Sequence, residues 1–240
     1  MRKKRLDEIL IERGIVKDKN EAFIWVTEGR VFVGGQKAIS PAQMFDPDIP
    51  TRVRERFKYV GRGGLKLEAA LEAFSVSVEG KVCVDIGAAT GGFTDVLLQR
   101  GAKKVYAIDT GRGKLALRLR EDPRVVVMER TNILYLESLP EPIEFGSIDV
   151  SLTSLRLVLP VLNKFLAPGA EVVALFKPQY EVDLSKLHHG IVEHEIDRQE
   201  ALDIFREWAG EHHWEILHAV RSSIQGAKGN VEYLLYLIPQ

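Results

Sequence analysis

The chain has 240 residues, 45% of them apolar and 28% charged. That is core enough for one large domain or a small one beside a medium one, and it excludes a disordered or fibrous chain. Its 33 Lys+Arg and 34 Asp+Glu leave a formal charge of -1, so the overall balance points to neither a nucleic-acid binder nor an acidic scavenger. The average hides an asymmetry, because residues 1–59 carry 13 Lys+Arg against 9 Asp+Glu while the remainder carries 20 against 25.

In chain order, the basic start from Met1 to Arg5 runs into a segment broken by Asp7, Glu8, Glu12 and Arg13, so no apolar signal core is expected there. Leu6, Ile9, Leu10 and Ile15 repeat at helical spacing, Ala22, Ile24, Trp25 and Val26 do so over 20–28, and Gly29 ends that second helix. Val31-Phe32-Val33 followed by Gly34-Gly35 predicts a strand and a two-residue hairpin turn. Pro41, Pro47 and Pro50 punctuate a loop, and the alternating Arg52-Val53-Arg54-Glu55-Arg56 predicts a last strand or linker, with a domain boundary near residue 58.

This front segment resembles the S4 RNA-binding domain through Arg5-Leu6-Asp7, Glu21-Ala22 and Gly29-Arg30-Val31-Phe32-Val33-Gly34-Gly35. The resemblance implies a small α+β RNA-binding domain over 1–58, with Arg5, Lys19 and Arg30 among its RNA contacts. Where that family often has Ser-Arg before Glu-Ala, this chain has Lys19-Asn20, and a lysine neutralises a phosphate without arginine's bidentate grip. The plainer reading of these basic residues is a solvated helix face.

From residue 80 the pattern alternates: strands over 81–86, 103–108, 124–128, 145–150, 171–176, 214–220 and 231–238, and helices over 93–99, 114–119, 155–165 and 198–209. Near-continuous apolar strands separated by helices predict a parallel sheet covered on both faces. Cys83, the only cysteine, excludes an internal disulfide and sits in Val82-Cys83-Val84 as a small buried hydrophobe. No stretch reaches the roughly 18 uncharged apolar residues of a membrane span, and a reducing cytoplasm is the expected location.

Asp85-Ile86-Gly87-Ala88-Ala89-Thr90-Gly91-Gly92-Phe93 carries the first strand through glycines into a helix, at the sheet edge where open α/β folds bind ligands. Asp109 ends the second strand, where a carboxylate can take the hydroxyls of an adenosine ribose. The spacing lacks G-x-G-x-x-G, the chain has no phosphate loop, and the arrangement is the S-adenosylmethionine pattern. Gly87 and Gly91 are expected to let backbone approach the ligand, and Asp85 to place negative charge near its ammonium end. Asn132 is placed to touch the adenine edge or to form a turn. The plain alternative is a tight turn in which Asp85 caps a helix.

Lys66, Asp149, Lys177 and Glu232 lie where an α/β site collects charges, at a helix start, two strand ends and the last strand. Singly, such residues are more often solvated lysines, helix caps and exposed acids. Together they fit methyl transfer from a sulfonium to a ribose 2′-hydroxyl, which needs a group to take the proton and an in-line arrangement of oxygen, carbon and sulfur.

Lys58-Tyr59-Val60-Gly61-Arg62-Gly63-Gly64-Leu65-Lys66-Leu67-Glu68, the Asp85–Asp95 loop, Glu129-Arg130-Thr131-Asn132, Lys177-Pro178-Gln179-Tyr180-Glu181 and Gly226-x-x-Gly229-Asn230-x-Glu232 are similar to FtsJ-type methyltransferase motifs. Their join to an S4-like segment resembles the TlyA family of ribosomal RNA 2′-O-methyltransferases, also called hemolysin A. The resemblance implies a Rossmann-like class I fold over 59–240, a seven-stranded sheet with helices on both faces. It implies S-adenosylmethionine as cofactor and a cytidine of 16S or 23S RNA, within ribosomal subunits, as substrate. Expected cofactor contacts are Asp85, Gly87, Ala88, Thr90, Gly91, Gly92, Phe93, Asp109, Thr110 and Asn132, and Arg62 joins the RNA contacts. In the implied catalytic set Lys177 accepts the 2′-hydroxyl proton, Asp149 orients it, and Lys66 and Glu232 hold the ribose and the lysine. No metal is implied, and the pairs His188-His189 and His212-His213 lack metal-site spacing.

Arg112, Leu152-Thr153 and the short loop 182–189 depart from the family pattern around the substrate mouth, which bears on the choice of nucleotide. Two other readings are a non-catalytic RNA-binding or ribosome-assembly factor and a membrane-lysing protein. Against the second, the sequence offers no basic amphipathic helix with a wide apolar face.

Overall fold

The structure, a computed structural model, describes residues 3–27, 29–54 and 58–240, and the chain divides into two units, Met1–Phe57 and Lys58–Gln240. The first holds β1 (Lys4–Arg5), α1 (Leu6–Glu12), α2 (Lys19–Thr27), β2 (Val31–Val33), β3 (Gln36–Lys37), β4 (Met44–Phe45) and β5 (Thr51–Val53). Helix α2 starts on a reciprocal cap, in which the Glu21 N–H donates to Asp18 Oδ1 at 2.8 Å and the Lys17 N–H to Glu21 Oε2 at 2.8 Å. Gly34 and Gly35 both take positive φ, the geometry a two-residue hairpin turn demands, and β3 and β5 flank β2 antiparallel. Leu6, Leu10, Ala22, Val26, Val31 and Val33 form the core. Glu28 and residues 55–57, parts of the expected second helix and linker, lie outside the described residues.

The second unit contains α3 (Gly63–Ala73), β6 (Val82–Ile86), α4 (Gly92–Gln99), β7 (Lys104–Asp109), α5 (Leu117–Arg120), β8 (Val125–Glu129), β9 (Ile143–Ile148), α6 (Leu155–Leu162), β10 (Leu166–Phe176), α7 (Glu195–Glu211), β11 (Trp214–Arg221) and β12 (Tyr233–Pro239). Its seven strands are ordered β11-β12-β10-β9-β6-β7-β8. The sheet is not parallel throughout, because β12 runs antiparallel to both β10 and β11. Residues 222–232 hold no α-helix, and so short a link closes a hairpin but not the crossover that a parallel neighbour needs. Period-2 alternation divides the strands between two cores: Val82, Val84 and Ile86 pack with α6 and α7, and Cys83 packs with α3 and α4.

The helix expected over 114–119 begins only at Leu117, because the Ala116 N–H is held by the Thr90 carbonyl at 3.1 Å. Glu232 immediately precedes the last strand, its carbonyl accepting the Ser222 N–H at 2.8 Å. Among the described residues no helix is long and apolar enough to cross a membrane.

Candidate active site

The carboxyl ends of β6, β7, β8 and β9 surround a cleft of about 240 Å³ lined by Gly87, Ala89, Asp109, Thr110, Asn132 and Asp149, with Ile86, Ile108, Ile133 and Val158 as apolar wall. Neighbouring loops diverge at this edge of an open α/β sheet, which leaves room for a ligand. Asp109 Oδ2 accepts the Ala89 N–H at 2.9 Å and Oδ1 the Gly111 N–H at 2.6 Å. Partial burial pushes its carboxyl up, but those two amides and Lys114 outweigh it and hold it below the usual carboxylate range. It is therefore ionised at neutral pH, and each oxygen keeps acceptor capacity for a diol. Asn132 forms the expected turn, capping Ile133–Tyr135 by accepting the Leu134 N–H at 3.0 Å, and it also lines the cleft.

Other expected cofactor contacts do not line this cleft. Asp85 is fully buried, its Oδ2 accepting the Thr94 N–H at 2.8 Å and hydroxyl at 2.6 Å and its Oδ1 the Ser147 hydroxyl at 3.2 Å. It faces the start of α4, as the helix-cap alternative has it, and does not line the strand-end cleft. Phe93 and Ala88 belong to the core, and Thr90 is exposed and uses its carbonyl on Ala116. Gly91 is needed by packing, since a Cβ there would lie 2.2 Å from Leu119, and Gly92 lets α4 approach the Gly64 backbone. Gly87 does line the cleft, yet its lack of a side chain serves the fold as well: a Cβ would sit 2.2 Å from the Asp149 carbonyl.

A second cleft, of about 350 Å³, shares Asp149 and Ser151 with the first and brings Lys66, Asp149, Lys177 and Glu232 together with Arg62 and Gln179. Lys66 and Glu232 are both buried and meet at 2.5 Å from Nζ to Oε2. Lys177 Nζ lies 2.6 Å from Asp149 Oδ1 and donates to the Val150 carbonyl at 2.8 Å and to Ser151 Oγ at 3.2 Å. Asp149 itself is fixed by its N–H, which donates to the Ile86 carbonyl at 2.9 Å. Each buried lysine thus has its own carboxylate, the condition under which such charges are tolerated.

Sequence reasoning missed Ser151, whose only signal is a hydroxyl two positions beyond a strand-end acid. It also missed what Glu181 does. Burial pushes that carboxyl up, and its oxygens accept the Ser154 hydroxyl and the Leu155 N–H at 2.7 Å each, which pins the segment after Lys177 to the start of α6.

The residues expected to touch RNA from the first unit lie apart from one another in role. Arg5 is held in a two-point pair with Asp7, at 3.0 and 2.7 Å, Arg30 stacks 3.9 Å over the Trp25 ring, and Lys19 is exposed at the start of α2. Among the described residues no three or more His, Cys, Asp or Glu are grouped as a metal ion requires.

Residues 59–238 match the family described as FtsJ-like methyltransferase. The chain is 40% identical to the 16S/23S rRNA (cytidine-2′-O)-methyltransferase TlyA of Mycobacterium tuberculosis, over 100% of its own length and 91% of the relative's. It is 39% identical to hemolysin A of Brachyspira hyodysenteriae, over 98% and 99% of the two chains. A solved structure described as a hemolysin, from Streptococcus thermophilus, superposes with a TM-score of 0.76 at 39% identity, covering 100% of this chain and 90% of that one. The chain belongs to the FtsJ-like methyltransferase family, in the group of relatives named TlyA and hemolysin A.

Proposed function

We propose that this protein methylates the ribose 2′-hydroxyl of a cytidine in ribosomal RNA, within a ribosomal subunit in the cytoplasm, with S-adenosylmethionine as methyl donor. The observation that carries the reading is the second cleft, where Lys66, Asp149, Lys177 and Glu232 converge from four elements and Asp149 and Ser151 form a wall common to the strand-end cleft. The names of the relatives at about 40% identity support the substrate.

The first cleft suits the cofactor by the chemistry of its lining. Asp109 offers an ionised acceptor for a ribose diol, Asn132 and Thr110 offer polar groups, and the isoleucines offer a flat apolar wall for a purine. S-adenosylmethionine, when bound, supplies an electrophilic methyl group on a sulfonium. The Lys177 ammonium lies in an ion pair with Asp149 and donates to the Val150 carbonyl and Ser151 Oγ. A 2′-hydroxyl entering the cleft displaces the longest of these, Ser151, and so lies against the amine. As the oxygen takes the methyl group, its proton passes to the one basic group of the pair, the Asp149 carboxylate, which lines both clefts, while the Lys177 ammonium keeps its protons and holds carboxylate and ribose oxygen in place. The Lys66–Glu232 pair, which lines the same cleft, positions the ribose.

In this reading the first unit is an S4-like RNA-binding domain in which Lys19 and Arg30 contact phosphates, while Arg5 serves mainly to hold Asp7. Mass-spectrometric mapping of ribosomal RNA, before and after incubation of subunits with the protein and labelled cofactor, tests the proposal. A new 2′-O-methylcytidine supports it; label on a base or on protein, or no label in any subunit, contradicts it.

A further inference from the structure

Resting on that reading, we propose that Arg62 and Arg221 form a phosphate track holding the RNA backbone on the 3′ side of the methylated ribose. In an internal nucleotide the carbon next to the reacting C2′ carries the phosphodiester, so an anion enters the site beside the 2′-oxygen. The lysines of the cleft cannot balance it, since Lys66 is neutralised by Glu232 and Lys177 by Asp149. Arg62 lines the same cleft, is exposed, and makes no side-chain hydrogen bond or ion pair among the described residues.

The cleft continues into a more open groove whose wall shares Arg62, Ile224, Gln225 and Gly226 and adds Arg221, Ser222 and Ser223. Arg221, at the end of β11, is likewise exposed and without an ion pair among the described residues. The acid near it, Glu195, is engaged by Arg198 at 2.7 Å. This contrasts with Arg100, Arg118, Arg120, Arg124 and Arg198 of the same unit, each held by a carboxylate. A guanidinium left open beside a charge-balanced catalytic pair matches a phosphate in geometry and sign.

The groove is also built in advance of its ligand. The Ser222 hydroxyl donates to the Ile224 carbonyl at 2.8 Å and accepts the Ile224 N–H at 3.2 Å, and the Gly226 N–H donates to the Asn230 carbonyl at 2.9 Å. Gly226 lies so close to Glu232 that a Cβ would come within 2.0 Å of its carboxylate, which ties the wall of the track to the catalytic set.

The test is steady-state methyl transfer to ribosomal subunits at several salt concentrations, for the wild type, Arg221→Ala and the control Arg206→Ala, whose guanidinium is paired with Asp203 on α7 at 3.2 Å. Loss of a charge-assisted phosphate contact should raise the KM of Arg221→Ala for subunits by about tenfold. Its kcat should stay within about twofold, its cofactor affinity should be unchanged, and the salt slope of log kcat/KM should fall by about one. Arg206→Ala should keep the wild-type slope. A wild-type KM and slope in Arg221→Ala, an equal effect in Arg206→Ala, or a loss confined to kcat overturns the track while leaving the methyltransferase reading standing. A wild-type protein that forms no 2′-O-methyl product removes both.

Discussion

Lys66 Nζ meets Glu232 Oε2 at 2.5 Å, a buried pair that ties the first turn of α3 to the residue before β12 across 166 positions of chain. Removing one partner strands the other charge in a site it cannot leave. Glu232→Ala should therefore lower unfolding free energy by about 3–5 kcal/mol, whereas Lys66→Met combined with Glu232→Leu should recover most of that loss. Neither variant should methylate RNA. Denaturant titration beside an activity assay checks this, and an active double variant would show the pair to be structural alone.

Asp85, one residue before the end of β6, is buried, and burial, opposed by Thr94 and reinforced by Asp149, pushes its carboxyl up to about 7. The unfolded chain releases this proton near pH 3.9. Between about pH 4 and 7 the folded state binds more protons, so the group's contribution is complete below pH 4, declines as pH rises, and is gone above 7. Wild type should lose on the order of 4 kcal/mol across that window relative to Asp85→Asn. Urea denaturation of both proteins at pH 4.5, 5.5, 6.5 and 7.5 measures the difference, and parallel stability profiles would refute the assignment.

Gly87 and Gly91 share positive φ, +87° and +95°, but meet different neighbours. An alanine at 87 would press on the Asp149 backbone, while at 91 it would press on the side chains of Leu115 and Leu119. Both should cost stability, by roughly 1–3 kcal/mol from backbone strain alone. Only Gly87→Ala should also lower kcat by tenfold or more, because it displaces a carboxylate that contacts Lys177. Equal activities for the two variants, at a temperature where both are folded, would count against the role of Asp149.

Cys83 is fully buried, and burial pushes its thiol up to about 12. Alkylation by iodoacetamide at pH 8 should be negligible in the folded protein and rapid in urea, and alkylation of the native thiol with loss of activity would place it in the site after all.

The hairpin at Gly34-Gly35 and the seven strands were legible because each rests on local chemistry, turn glycines and apolar runs, whereas the grouping of the four charged residues was legible from strand ends only for Asp149 and Lys177 and otherwise from the family resemblance. The reversal of β12 was within reach too, because the ten residues between the expected strands 214–220 and 231–238 are too few for a parallel crossover, but the apolar runs read alike in either direction and the expected parallel sheet left it out. The fate of Asp85 was illegible. An acid at a strand end can face the ligand or the next helix, and the hydroxyls of Thr94 and Ser147, which decide it, become neighbours only when α4 and β9 pack. Likewise Gly91 reads as a ligand-contact glycine until Leu115 and Leu119 occupy the space beside it.

The central claim, that the Lys177–Asp149 pair takes the proton from a ribose hydroxyl, is tested most directly by measuring Lys177→Ala twice: once for methyl transfer to ribosomal subunits and once for S-adenosylmethionine affinity by calorimetry. Transfer reduced by at least about a thousandfold, with affinity within a few fold of wild type, is the predicted result. Methyl transfer at a wild-type rate would contradict it.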